Sequence, residues 1–139
     1  MPTTSEIIDF VKKFTGRKKI TDETDIFDSG VVGDDFHELI EKFAKTYSVD
    51  MKNYLWFFHT DEEGRDGIVE FFFDPPNRRV KRIPVTPSLL TKFANKGKWS
   101  MKYPKHKIPK KRYDLIINEI LMVAIIVSLI VYALKKCMS

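Results

Sequence analysis

Residues 115–134 read LIINEILMVAIIVSLIVYAL, and sixteen of these twenty are Leu, Ile, Val, Met or Ala. At the helical rise, twenty residues span roughly 30 Å, the thickness of a bilayer's hydrocarbon core. The exceptions are Asn118, Glu119, Ser128 and Tyr132. Ser128 can bond back to its own helix, and Tyr132 falls near the end, where an interface tolerates it. Asn118 and Glu119 fall in the first turns, near a headgroup layer. Each Ile, Leu or Val favours insertion by about 0.3 to 0.6 kcal/mol, so together they outweigh Glu119 even at a central penalty of about 3 kcal/mol. The rival is a buried amphipathic helix, which needs a polar stripe at helical spacing, and residues 120–134 have none. The run is therefore expected to be a transmembrane helix. That leaves a soluble domain over residues 1–101, a basic juxtamembrane linker over 102–114 and a short tail over 135–139.

The flanks set an expected orientation. Lys102, Lys105, Lys107, Lys110, Lys111 and Arg112 precede the span with no acid among residues 102–113, whereas Lys135 and Lys136 follow it. An excess of cations on one side predicts a single membrane pass with the N-terminal domain cytoplasmic. The linker holds Pro104 and Pro109, so it reads as extended and semi-stiff, with cations able to touch anionic headgroups at about 1 kcal/mol each. The start, MPTTSEIIDF, has neither a basic n-region nor an apolar h-region. Insertion is thus expected to follow synthesis, as in tail-anchored proteins. The bilayer is the first expected partner. Asn118 and Glu119 leave self-association through the span open, because polar residues can join helices in lipid.

The charge balance excludes other classes. The formal net charge is +5, yet residues 1–101 carry 16 Lys/Arg against 17 Asp/Glu. A nucleic-acid binder would spread cations and aromatics over a folded face, so no nucleic-acid partner is expected. The single cysteine, Cys137, excludes an intrachain disulfide and any Cys₄ or Cys₂His₂ metal site. His37, His59 and His106 are scattered and read as exposed helix or loop positions. Asp61, Glu62, Glu63 and Asp66 cluster, most simply as a solvated turn. No nucleophile–base pair, P-loop or metal spacing is visible, so neither an enzyme nor a cofactor is expected.

Within the soluble part, Thr3-Thr4-Ser5-Glu6 has capping-box spacing, and Ile7, Ile8, Val11 and Phe14 follow at helical intervals until Gly16. A polar loop leads to a two-glycine stretch, residues 26–33. Asp34 and Asp35 suit an N-cap and first turn, and Phe36, Leu39, Ile40, Phe43 and Tyr47 continue a second amphipathic helix. Residues 53–58 suggest a short helix, and Ile68–Phe73 a short β-prone element. Asp74-Pro75-Pro76-Asn77 reads as a turn. Thr86-Pro87 starts a third helix with Leu89, Leu90 and Phe93 on its apolar face, stopped by Gly97. Trp99 and Tyr103 are expected to close the core. The fold class is mainly α, a small helical bundle.

The stretch Asp28-Ser29-Gly30-Val31-Val32-Gly33-Asp34-Asp35-Phe36-His37-Glu38-Leu39-Ile40, with Tyr47, resembles an acyl carrier protein. Aligned without gaps, Gly30 matches that family's glycine, Glu38-Leu39-Ile40 its Glu-Leu-Val, and Tyr47 its closing aromatic. The modified serine then falls at Gly33, and the acid before it at Val32. More closely, Gly-x-x-Gly-Asp-Asp, Val49-Asp50-Met51 and Pro84-Val85-Thr86-Pro87-Ser88-Leu89-Leu90 running to Gly97-Lys98-Trp99 resemble a small, mainly enterobacterial family. It is known as domain of unknown function 1493 and is often labelled acyl-carrier-like; the likeness covers about residues 3–101 and implies that the membrane crossed is a bacterial inner membrane. A phosphopantetheine arm needs a hydroxyl nucleophile. Gly33 has none, a two-residue shift puts Asp35 there, and Ser29 lies four residues early. The resemblance therefore implies a degenerate carrier fold without the covalent arm. Asp34, Asp35, Glu38 and Glu41 would offer an acidic face to a basic protein partner. An accessory or carrier role in membrane lipid or fatty-acyl metabolism is the alternative.

Overall fold

The computed structural model describes residues 1–61, 75–108 and 113–138, which form four α-helices, two 3-10 turns and no strand. The β-prone segment 68–73 lies outside the described residues, as do Glu62, Glu63, Asp66, Lys110, Lys111 and Arg112.

Helix α1 (Thr4–Thr15) begins as its sequence predicts. The Thr3 N–H donates to the Glu6 carboxylate at 2.7 Å, and the Glu6 N–H donates to Thr3 Oγ1 at 3.3 Å. Two of the orphan donors of the first turn are thereby satisfied. Ile7 and Val11, four residues apart, are fully buried. This stripe packs α1 mainly on α3 and also on α2. Phe10 adds edge contacts to Phe43 and Tyr47 of α2 at 6.4 and 5.6 Å between centroids.

Helix α2 (Gly33–Tyr47) departs from expectation at its start. Its N-cap is Val32, which offers no side-chain hydrogen bond, and Asp34 and Asp35 lie inside the first turn. The cap's task falls to a tertiary contact: Gly33 N–H donates to Thr60 Oγ1 at 3.0 Å. The acids still favour the helix through its dipole. Phe36, Leu39, Ile40 and Phe43 are buried at spacings of three and four, as their periodicity predicts.

Residues 53–58 form only a single 3-10 turn, Trp56–Phe58, in place of the expected short helix. Of the turn predicted at residues 74–77, Asp74 lies outside the described residues, and Pro76 and Asn77 open a second 3-10 turn, Pro76–Arg79. Helix α3 (Pro87–Lys96) opens on Thr86, whose hydroxyl accepts from Leu89 N–H at 3.2 Å, and closes at Gly97. With φ +64, Gly97 occupies the left-handed region where a side chain is strained.

The long loop between α1 and α2 belongs to the core. Ile20, Ile26 and Val31 are buried. Ile26 N–H donates to Val85 O at 3.0 Å, and Ser88 N–H to Asp22 O at 2.9 Å. Arg82 ties down the same loop through Asp25 and Asp28, with its guanidinium over the Phe27 ring. The segments that leave α2 and α3 meet in one isolated parallel bridge. There Asp50 N–H donates to Gly97 O at 2.9 Å, and Trp99 N–H to Asp50 O at 2.8 Å. The bridge delivers Trp99 into the core, where it is fully buried against Phe93 and Tyr54.

Helix α4 (Tyr113–Met138) extends beyond the apolar run at both ends. Its segment Leu115–Cys137 is long and apolar enough to cross a membrane, and none of it is buried. Ser128 Oγ donates to Ala124 O at 2.8 Å, so its hydroxyl is satisfied within the helix. Leaving a Leu, Ile or Val side chain in water forgoes about 1.5–3 kcal/mol relative to burial. A helix exposing such residues on every side, from Ile120 to Leu134, calls for an apolar surrounding.

Candidate functional site

Asp34, Asp35, Glu38 and Glu41 are all exposed on α2. Asp34, Glu38 and Glu41 recur at four and three, on the side opposite the buried stripe. The face is not uniformly acidic. Asp35 and Glu38 line a cleft of ≈ 600 Å³ between α1 and α2 that Lys13, Arg17 and Lys42 also line. Lys42 Nζ lies 5.3 Å from the centre of the Phe14 ring. Arg17 Nη2 donates to Gly30 O at 3.4 Å. The cleft thus offers charges of both signs over an aromatic floor.

Gly33 is buried and opens α2 with φ +52. That left-handed conformation suits a residue without a Cβ. Ser29 is half-buried, and its hydroxyl donates to Ile26 O at 2.6 Å within the turn. Asp61 accepts from Asn77 Nδ2 at 3.0 Å. Among the described residues, no three or more His, Cys, Asp or Glu gather as metal ligands could. Asn118 and Glu119 are exposed on α4.

Residues 101–108 have no regular secondary structure. Lys102, Lys105 and Lys107 are exposed. Between them, however, the chain stays on the domain: Tyr103 stacks on Phe58 at 4.8 Å, and the His106 ring meets Phe57 and Phe58 at 5.6 and 5.2 Å.

His59 corrects a sequence-based expectation. Far from an exposed loop position, it is 0% exposed. Its Nδ1 is 2.9 Å from Ile83 O, and its Nε2 is 2.9 Å from Tyr103 Oη. A carbonyl can only accept, so Nδ1 carries the proton and Nε2 accepts from the tyrosine hydroxyl. Tyr103 Oη in turn accepts from Trp99 Nε1–H at 2.8 Å and Leu55 N–H at 3.2 Å. One donor and two lone pairs are thereby all used. Burial pushes the His59 pKa down to about 4, against weaker opposition from the Ile83 hydrogen bond. Burial likewise raises the Tyr103 pKa, so both groups are neutral at pH 7. Tyr54 stacks on His59 with centroids 5.5 Å apart. The sequence signal for this burial was the aromatic run Trp56-Phe57-Phe58 directly before His59.

A family model described as protein of unknown function (DUF1493) matches residues 4–102. No curated protein and no solved structure matches the chain.

Proposed function

We propose that this chain, which belongs to the DUF1493 family of proteins of unknown function, is a membrane-anchored, non-catalytic interaction module with a degenerate acyl-carrier-like fold. The observation that carries this reading is α4, whose apolar side chains are exposed all round over the length of a span. Lipid is the solvent such a surface needs. The cations before the span favour a domain on the cytoplasmic side of a bacterial inner membrane.

The test is fractionation. The full-length chain is expected to pellet with membranes, resist alkaline carbonate and dissolve in detergent. Recovery in the carbonate supernatant would refute the anchor.

The acids of α2 would meet a basic patch on a protein partner, while Gly33 leaves no hydroxyl for a covalent arm. Charges arranged across an interface suppress wrong partners, and like charges set against each other cost several kcal/mol. The double reversal Glu38→Lys/Glu41→Lys is therefore expected to reduce crosslinked partner in membranes by roughly tenfold or more. Both residues are exposed, so the fold should survive. Unchanged capture would remove this face from consideration. The bilayer anchor also favours a second reading, an accessory of membrane lipid or fatty-acyl metabolism.

A further inference from the structure

The geometry points to a second bilayer contact, made by the folded domain itself, in which the surface around Phe57 and Ile108 docks on anionic phospholipid headgroups. Leu55, Phe57, Arg79, His106, Lys107 and Ile108 line an open groove of ≈ 730 Å³. His106 and Lys107 also line a neighbouring groove, beside the exposed Pro104 and Lys105. Trp56 is half-exposed and packs edge-on against Phe57 at 5.9 Å. Half-exposed aromatic and aliphatic side chains ringed by cations match what a headgroup layer takes: rings at its depth and positive charge at its surface.

Two observations select lipid as the occupant. The first is charge: Lys105 and Lys107 are exposed and complement an anionic leaflet within a Debye length of about 8–10 Å. The second is reach. From Ile108 to Leu115, where the apolar segment begins, is seven residues, at most about 25 Å of extended chain. A tether this short holds the groove near the surface at an effective concentration of the order of millimolar. A face too weak to recruit a free protein is then occupied. This inference rests on the membrane-anchor reading and adds an orientation to it.

The chain's two tryptophans, Trp56 and Trp99, both lie outside α4. Quenching by brominated lipid therefore reports the approach of the domain and not insertion of the helix. Full-length protein would be reconstituted into nanodiscs carrying lipids brominated high on the acyl chain. One set contains phosphatidylcholine alone, and the other adds phosphatidylglycerol. Emission is expected to be quenched in the anionic discs and much less in the neutral ones, and Trp56→Phe should abolish the difference. Lys105→Glu/Lys107→Glu should lower the docked-to-undocked ratio by about 25-fold or more, at about fivefold per charge removed. Unquenched emission from protein that co-elutes with anionic discs overturns the docking and leaves the anchor standing. Protein that elutes apart from the discs overturns both.

Discussion

Tyr103→Phe is expected to destabilise the domain by about 3 kcal/mol, although it removes one oxygen atom and keeps the ring. The ring packs on Phe58 in either case. What disappears is the shared partner of Trp99 Nε1–H, Leu55 N–H and His59 Nε2. An orphaned polar group in an apolar site costs about 1–3 kcal/mol. Trp99 and His59 are both 0% exposed and have no access to water as a replacement. Tyr54→Phe is the control, since among the described residues its buried hydroxyl has no hydrogen-bond partner. That substitution should be neutral or slightly stabilising. Urea unfolding of the detergent-solubilised full-length chain, followed by tryptophan emission, measures both. Equal midpoints for Tyr103→Phe and Tyr54→Phe would count against the shared-hydroxyl account.

Acid is expected to weaken the same domain by a comparable amount through His59. In the unfolded chain the imidazole takes up a proton near pH 6.5, whereas in the fold it resists protonation down to about 4. The unfolded state therefore binds more protons between those values, and stability falls as pH falls through that window. Above pH 6.5 the contribution is fully present; below pH 4 both states are protonated and the loss is complete. Each pH unit between the two values is worth about 1.4 kcal/mol, giving about 3 kcal/mol over the window. The structural cause is that Nε2 must accept from Tyr103 and Nδ1 faces a carbonyl. A protonated ring would turn its acceptor into a second donor. Glu6 supplies a separate acid sensitivity: hydrogen bonds from Thr3 hold its carboxyl below 4.5, so its capping contribution is lost only at lower pH. Unfolding midpoints between about pH 7 and 5 thus separate the contribution of His59 from that of Glu6. A His59→Gln variant should lose the slope there, and a flat wild-type profile would contradict the assignment.

The features legible in the sequence are those whose cause is local. Thr3 and Glu6 cap α1 through atoms three residues apart; the Thr86 hydroxyl caps α3 over the same spacing, and Pro87 and Gly97 bound it by backbone preferences of their own. The exposed acids of α2 followed from helical periodicity, since the buried stripe dictates the opposite face. The features not legible are those whose partners arrive from afar. No pattern near Val32 announces that Thr60 satisfies the first turn of α2. Nothing beside His59 foretells Ile83 and Tyr103 as its hydrogen-bond partners, 24 and 44 residues away. Tertiary contact also overrode local propensity at residues 53–58, where burial of Phe58 and His59 goes with one tight turn.

The hydroxyl that completes the hydrogen bonding of His59 and Trp99 sits ten residues ahead of Tyr113, where α4 begins. Traction on the anchor would therefore be felt first by the strap from His106 back to Tyr103, and peeling that strap unplugs the interior. The same arrangement governs where the chain can be trimmed. A fragment cut at the family boundary, residue 102, discards Tyr103, whereas one that keeps His106 retains the whole closure.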